Sequence, residues 1–156
     1  MLKDSIALLL VILPLLLPAQ APVCEGNLGA NIFEAGDFGR GTDNVLPEDP
    51  GIAPGYLYDR VVPPNDGDYV LTNTTAQWTN NYDTWLDIAD NSTDPQGYMM
   101  VVNASFEPGL FYDQTIEGLC ENTLYEFSAD VINMIRRGVS DHIRPNVSFL
   151  IDGEEA

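Results

Sequence analysis

Short apolar and aromatic runs recur between Gly97 and Ile132, and Gly, Pro or Asn residues separate them. The runs are Met99–Val102, Leu110–Ile116 and Leu124–Val131. Their β-branched and aromatic content, with turn residues on both sides, predicts strands. In the third run apolar and polar residues alternate, as in a half-buried strand; its apolar positions are Tyr125, Phe127, Ala129 and Val131. The first run lacks alternation, which predicts a strand covered on both faces.

The flanking sequence extends the same pattern. Tyr56–Val62 is a candidate strand, and the turn signal Asn65-Asp-Gly-Asp precedes another at Tyr69–Thr72. Alternating apolar residues mark a last inward face: Val147, Phe149 and Ile151. Polar, Pro- and Gly-rich stretches predict surface loops over 41–55, 73–97 and 133–145. Because no segment sustains a 3.6-residue apolar period, the predicted class is all-β, with a β-sandwich core.

The pair Asp152-Gly153 follows the last apolar positions and signals a hairpin, yet no returning strand is indicated after it. A sandwich needs its strand edges paired or guarded. We therefore expect residues 20–156 to be a β-sandwich whose final strands are missing, with further domains of the polypeptide after Ala156.

Residues 1–19 have the pattern of a signal peptide. Lys3 precedes an apolar stretch from Ile6 to Leu17, which is too short to span a bilayer as a helix, and small residues follow it. Cleavage after Ala19 is favoured over cleavage after Ala21, because Pro22 would directly follow the second cut. The mature chain is expected to be secreted or held at the cell surface, without a membrane span.

The chain carries 24 acidic and 6 basic side chains, a formal net charge of −18. Such a surface repels nucleic acid and anionic lipid. It is compatible with divalent cations and with neutral ligands such as glycans. The acids are spread along the chain, so no acidic tail is indicated.

The sequence contains two cysteines, Cys24 and Cys120. An even number in an exported chain predicts a disulfide between them. A zinc site is not indicated, because His142 is the only histidine and no Cys-x-x-Cys occurs.

Three motifs resemble carbohydrate-binding modules with the galactose-binding-like jelly-roll fold. They are Asn31-x-Phe33-Glu34-x-Gly36, Gly97-Tyr-Met-Met-Val-Val and Gly118–Val131. Together with the cysteine and the Arg144-Pro-Asn-Val-Ser-Phe ending, they most resemble the N-terminal domains of large surface proteins of gliding bacteria. The resemblance covers roughly residues 24–152 and implies a jelly-roll sandwich. It also implies repeat domains and a C-terminal sorting domain further along such a protein.

In the sugar-binding relatives, the glutamate of the first motif and the loop before the Gly97 strand help to hold a structural calcium ion. The resemblance thus implies a calcium site with Glu34, Asp94 and the carbonyl of Gln96 as ligands, completed by an acidic residue of a late strand that we expect beyond Ala156. Calcium takes six to eight hard oxygens, and two loops supply carboxylates and carbonyls here. The alternative is an acidic turn without metal.

Trp78, Tyr82 and Trp85 lie in a polar loop, where aromatic rings either pack or bind something. Sugar rings stack on aromatic faces while neighbouring amides and carboxylates fix their hydroxyls. These three residues are therefore candidate ligand contacts, with Trp78 as an exposed platform. Tryptophans in such loops more often cap the core, and we expect this of Trp85.

Catalysis finds little support in the sequence. Glycosidase chemistry needs two carboxylates at a set separation, and nothing singles out a pair. No nucleophile-elbow motif accompanies the single histidine. The expected function is a non-catalytic extracellular recognition module, glycan-binding or adhesive, at the N-terminus of a longer surface protein. The alternatives are a structural spacer or cap without a ligand, or an accessory module of a secreted polysaccharide hydrolase.

Overall fold

A computed structural model describes residues 38–78, 84–139, 142 and 144–155. This part of the chain contains five strands in two small sheets and no α-helix. The all-β class is thereby confirmed. The strands are β1 (Leu57–Tyr58), β2 (Asp68–Thr72), β3 (Met99–Asn103), β4 (Leu150–Ile151) and β5 (Glu154–Glu155).

The larger sheet has the order β1-β2-β3. β2 and β3 are antiparallel, with Asp68 opposite Asn103 and Thr72 opposite Met99, while β1 runs parallel to β2. The predicted turn before β2 forms, with the amide of Asp68 donating to the carbonyl of Asn65 at 3.0 Å. Gly67 provides the positive φ of 87° that this turn requires. The predicted strands at 69–72 and 99–102 are confirmed.

The central sheet is covered on both faces. Because side chains alternate along a strand, Tyr69 and Leu71 of β2 enter one core cluster, whereas Val70 enters another. β3 divides in the same way: Met100 and Val102 pack on the first cluster, and Met99 and Val101 belong to the second. This explains why the Met99–Val102 run is apolar without alternation, as the sequence predicted.

The loop at 41–55 is irregular, as predicted, but part of it belongs to the core. Ile52 and Ala53 are 9% and 4% exposed. The amide of Asp113 donates to the carbonyl of Ile52 at 2.9 Å, and the amide of Gly55 donates to the carbonyl of Leu110 at 2.9 Å. The loop therefore covers the first cluster rather than standing away from it.

Two strand predictions are wrong. Residues 110–116 and 124–131 form no strand, although the second has the best alternation in the chain. Leu124 is 96% exposed and Val131 is 63% exposed. Alternation gives a run the capacity to bury one face, but a strand exists only where a neighbour completes its hydrogen bonds.

The C-terminal hairpin corrects a third expectation. Residues 154–155 return as β5 and pair antiparallel with β4. Asp152 and Gly153 at the turn have φ angles of 52° and 82°, the two positive values of a type I′ turn. The predicted inward face is wrong, because Val147, Phe149 and Ile151 are 40%, 39% and 62% exposed.

No helix within the described ranges is long and apolar enough to cross a membrane. The predicted signal peptide at 1–19 lies outside these ranges. The jelly-roll arrangement stays a prediction.

Candidate functional site

The predicted aromatic platform is buried. Trp78 and Trp85 are 4% and 9% exposed, and they join Val70 and Val101 in the second core cluster. Their rings meet edge to face, with centroids 5.5 Å apart and an interplanar angle of 80°. The expectation that Trp78 is exposed is therefore wrong, while Trp85 covers the sheet as expected. Tyr82 lies outside the described residues.

Hydrogen bonds hold both tryptophans in this place. The amide of Trp78 donates to the carbonyl of Thr75 at 3.1 Å. The Thr75 hydroxyl, fully buried, donates to the carbonyl of Leu86 at 2.7 Å. Arg136 donates from Nε to the carbonyl of Trp85 at 2.7 Å. These bonds satisfy polar groups that burial would otherwise penalise, and they hold Trp78 and Trp85 against the core.

The predicted calcium loop forms a compact turn before β3. The Asp94 carboxylate accepts the amide of Gln96 at 3.1 Å, and the Asp94 carbonyl accepts the amide of Gly97 at 3.2 Å. The Gln96 carbonyl accepts the amide of Gly41 at 3.1 Å. Arg40 also reaches Asp94, with 3.4 Å between Nη1 and Oδ2.

In these contacts the Asp94 carboxylate and the Gln96 carbonyl, the two predicted ligands in the turn, already accept hydrogen bonds, and Arg40 places a positive charge against Asp94. Among the residues with a described placement, no three His, Cys, Asp or Glu side chains gather in a metal-binding group. Glu34 lies outside the described residues. The calcium site therefore remains a prediction that depends on Glu34.

Three tyrosines that the sequence did not single out fix the 41–55 loop to the sheet. Tyr58 donates its hydroxyl to the carbonyl of Leu46 at 2.5 Å, and Tyr98 donates to the carbonyl of Asp43 at 2.9 Å. Tyr69 donates to the carboxylate of Asp49 in a very short contact. A tyrosine hydroxyl that is buried beside a polar loop needs a hydrogen-bond partner. The tyrosines within the predicted strands could therefore have indicated where the loop is attached to the sheet.

Burial raises the pKa of the Tyr69 hydroxyl well above its ordinary value, and the hydrogen bond to Asp49 and its negative charge act in the same direction. Burial also raises the pKa of Tyr58 and of Tyr98. The neutral phenols are thus part of the folded structure. They act as structural donors between the sheet and its loop.

A surface of a different kind lies along residues 124–132 and 147–151, hereafter the apolar surface. Its large apolar side chains are between 39% and 96% exposed. The two stretches lie against each other, because the rings of Phe127 and Phe149 are 5.5 Å apart. The side chains are Leu124, Tyr125, Phe127, Val131, Ile132, Val147, Phe149, Leu150 and Ile151.

Cys120 precedes the apolar surface, and the Tyr125 hydroxyl accepts its amide at 2.7 Å. The described residues contain no free cysteine. Cys24, its predicted partner, lies outside them, so the Cys24–Cys120 disulfide stays a prediction.

Comparisons with protein families, with curated proteins and with solved structures find no match to this chain. The function must therefore be argued from the surfaces and contacts described above.

Proposed function

We propose that the chain is a non-catalytic extracellular recognition module that acts in adhesion at the N-terminus of a longer, exported surface protein. One observation carries the proposal, namely the apolar surface. Soluble proteins rarely expose a contiguous apolar patch of this kind unless it meets a partner. Phe127 and Phe149 touch each other and still expose 44% and 39% of their area.

The contacts favour adhesion to protein over glycan binding on the tryptophans. Stacking on a sugar requires an accessible aromatic face, and Trp78 and Trp85 are held against the sheet instead. A glycan contact in the loop would have to use Tyr82 or neighbouring polar groups. The net charge of −18 favours a neutral or basic partner over an anionic one.

Multivalent display tests this function directly. Beads coated with the chain would be applied to an array that carries neutral glycans on one half and purified extracellular proteins on the other. Many copies on one bead raise the effective concentration, so weak single contacts become measurable. We expect saturable retention on protein spots that free chain competes away.

A double substitution, Phe127→Ser with Phe149→Ser, should abolish this retention. The matched control is Leu57→Ser on β1, because Leu57 is 74% exposed and lies outside the apolar surface. Retention on neutral glycans alone, lost on Tyr82→Ala, would favour the glycan-binding form of the module instead. Absence of saturable retention on both halves would contradict a recognition function.

A spacer or cap without a ligand is the second candidate, and the tryptophan pair favours it. Trp78 and Trp85, the residues that best matched a ligand platform, are used to close the core. A spacer needs a stable fold and no exposed recognition group. A spacer would show no retention on the array. Its melting temperature would be the same in the double variant Phe127→Ser with Phe149→Ser and in Leu57→Ser as in the wild type.

A further inference from the structure

The chain contains two Asp-Gly pairs, Asp66-Gly67 and Asp152-Gly153. In such a pair the main-chain nitrogen of glycine can attack the side-chain carboxyl carbon of aspartate, because glycine has no side chain to hinder the approach. The reaction requires the main chain to rotate until these two atoms meet. The freedom of each turn to open therefore decides whether its aspartate reacts.

The turn at Asp66 is held by the central sheet. The Gly67 amide donates to the carbonyl of Asn103 at 2.8 Å, and the Asp68 amide donates to the carbonyl of Asn65 at 3.0 Å. β2 starts at Asp68 and pairs with β3 along all five of its residues. Rotation around Asp66 would break these bonds, so it requires opening of the sheet that contributes to both core clusters.

The turn at Asp152 has much less support. It joins β4 to β5, which have two residues each and form a sheet of their own. All residues from 144 to 155 are exposed. The Ser148 hydroxyl donates to the Glu155 carboxylate at 2.8 Å, which is an exposed contact. A two-stranded hairpin of this size is marginally stable in water, so its turn opens at a small cost in free energy.

We propose that Asp152 is a site of spontaneous isomerisation to isoaspartate, from which the fold protects Asp66. The Gly153 nitrogen forms a bond to the side-chain carboxyl carbon of Asp152, the C–OH bond of that carboxyl breaks, and its oxygen leaves as water with the proton of the nitrogen. Water then adds to the main-chain carbonyl carbon of Asp152 in the cyclic imide, and the bond from that carbon to the Gly153 nitrogen breaks. The old carbonyl becomes a free carboxylate, and the main chain now runs through the side chain.

Isomerisation would change the hairpin and the surface beside it. The product has one additional carbon in the main chain at position 152. The register of Ile151 with Glu154 and of Leu150 with Glu155 depends on the two-residue turn between them. That register is lost in the product, and the two apolar side chains of β4, which belong to the apolar surface, lose their strand partners.

Ageing of the full chain in mildly acidic buffer tests the proposal. Peptide mapping with electron-transfer fragmentation distinguishes isoaspartate from aspartate although their masses are equal. We expect isoaspartate to form at least about tenfold faster at Asp152 than at Asp66, because opening of the hairpin costs less than opening of the central sheet. In concentrated urea, where the fold is absent, the two sites should react at similar rates. The two pairs are thus matched controls for each other in one sample.

Asp152→Ser should leave no isoaspartate in the peptide that contains position 152, with the rate at Asp66 unchanged. Similar rates at both sites in the folded protein, or a faster reaction at Asp66, would overturn the proposal. So would a folded protein that protects Asp152 relative to urea as strongly as it protects Asp66. A tenfold difference that persists in urea would also contradict it, because the neighbouring residues and not the fold would then set the rates.

Discussion

The indole rings of Trp78 and Trp85 meet edge to face across 5.5 Å, at the surface of the sheet formed by β2 and β3. Edge-to-face geometry places the positive rim of one ring against the negative face of the other. The two residues belong to the predicted polar loop over 73–97, of which residues 79–83 lie outside the described residues. Their contact brings residues 78 and 85 together in the second core cluster.

Truncation of Trp78 should strongly destabilise the folded protein. We expect Trp78→Ala to lower the free energy of unfolding by about 3–5 kcal/mol, because the substitution leaves a cavity in the second cluster. Urea unfolding followed by circular dichroism measures this change. Leu57→Ala is the control, with an expected change within about 0.5 kcal/mol, because Leu57 is exposed. An unchanged midpoint for Trp78→Ala would show that the indole is not a core residue.

Alkaline pH should destabilise the fold through its buried tyrosines. Below about pH 10 the phenol is protonated in both the folded and the unfolded chain, so the hydrogen bond to Asp49 is fully present. Above that pH the unfolded chain releases a proton that folded Tyr69 retains, because the folded pKa is raised. The free energy of unfolding therefore falls between pH 10 and the folded pKa, by at most about 1.4 kcal/mol for each pH unit.

Thermal melts at a series of pH values measure the alkaline loss. Tyr69→Phe should make the fall with pH less steep, whereas Leu57→Ala, which removes an exposed side chain without a titrating group, should leave the slope unchanged. Equal slopes for the wild type and Tyr69→Phe would contradict this prediction.

Peptide mapping of the wild-type protein can test the predicted disulfide. Peptide mapping of non-reduced protein, exported through an oxidising compartment, should recover a fragment that joins Cys24 to Cys120. Closing a loop of about a hundred residues stabilises by roughly 4.7 kcal/mol in the chain-entropy model. Reductant should therefore lower the melting temperature, and Cys24→Ser should remove that sensitivity. Two free thiols in the exported protein would show that the pairing is wrong.

Calcium should raise the melting temperature if Glu34 contributes to a site with Asp94 and Gln96. Binding to the folded state alone stabilises by about 2.7 kcal/mol at a hundredfold excess over Kd. Glu34→Ala should abolish the rise, and the control Glu48→Ala should keep it. Arg40→Gln should increase the rise, because it removes the guanidinium 3.4 Å from Asp94. Superimposable melts in EDTA and calcium, for both the wild type and Arg40→Gln, would count against a metal site.

Sequence patterns predicted the elements whose signals are local. The turn before β2 follows from the residues between Asn65 and Asp68, and the central strands follow from their apolar, β-branched runs. The unbroken apolar run of β3 indicated burial on both faces, and the two core clusters confirm it. In each case the predictive pattern lies in neighbouring residues, while the pairing of β2 with β3 supplies the hydrogen-bond partners.

The tertiary structure decided everything that depends on partners distant in sequence. Leu124–Val131 alternates well and still forms no strand, because alternation does not supply a neighbour for the main chain. Trp78 matched a ligand platform in its local composition, yet Val70, Trp85 and Val101 are the residues that bury it. The Tyr69–Asp49 bond joins positions 20 residues apart and was invisible in either segment alone. Local sequence determines what a segment is able to do, whereas burial depends on which other segments reach it.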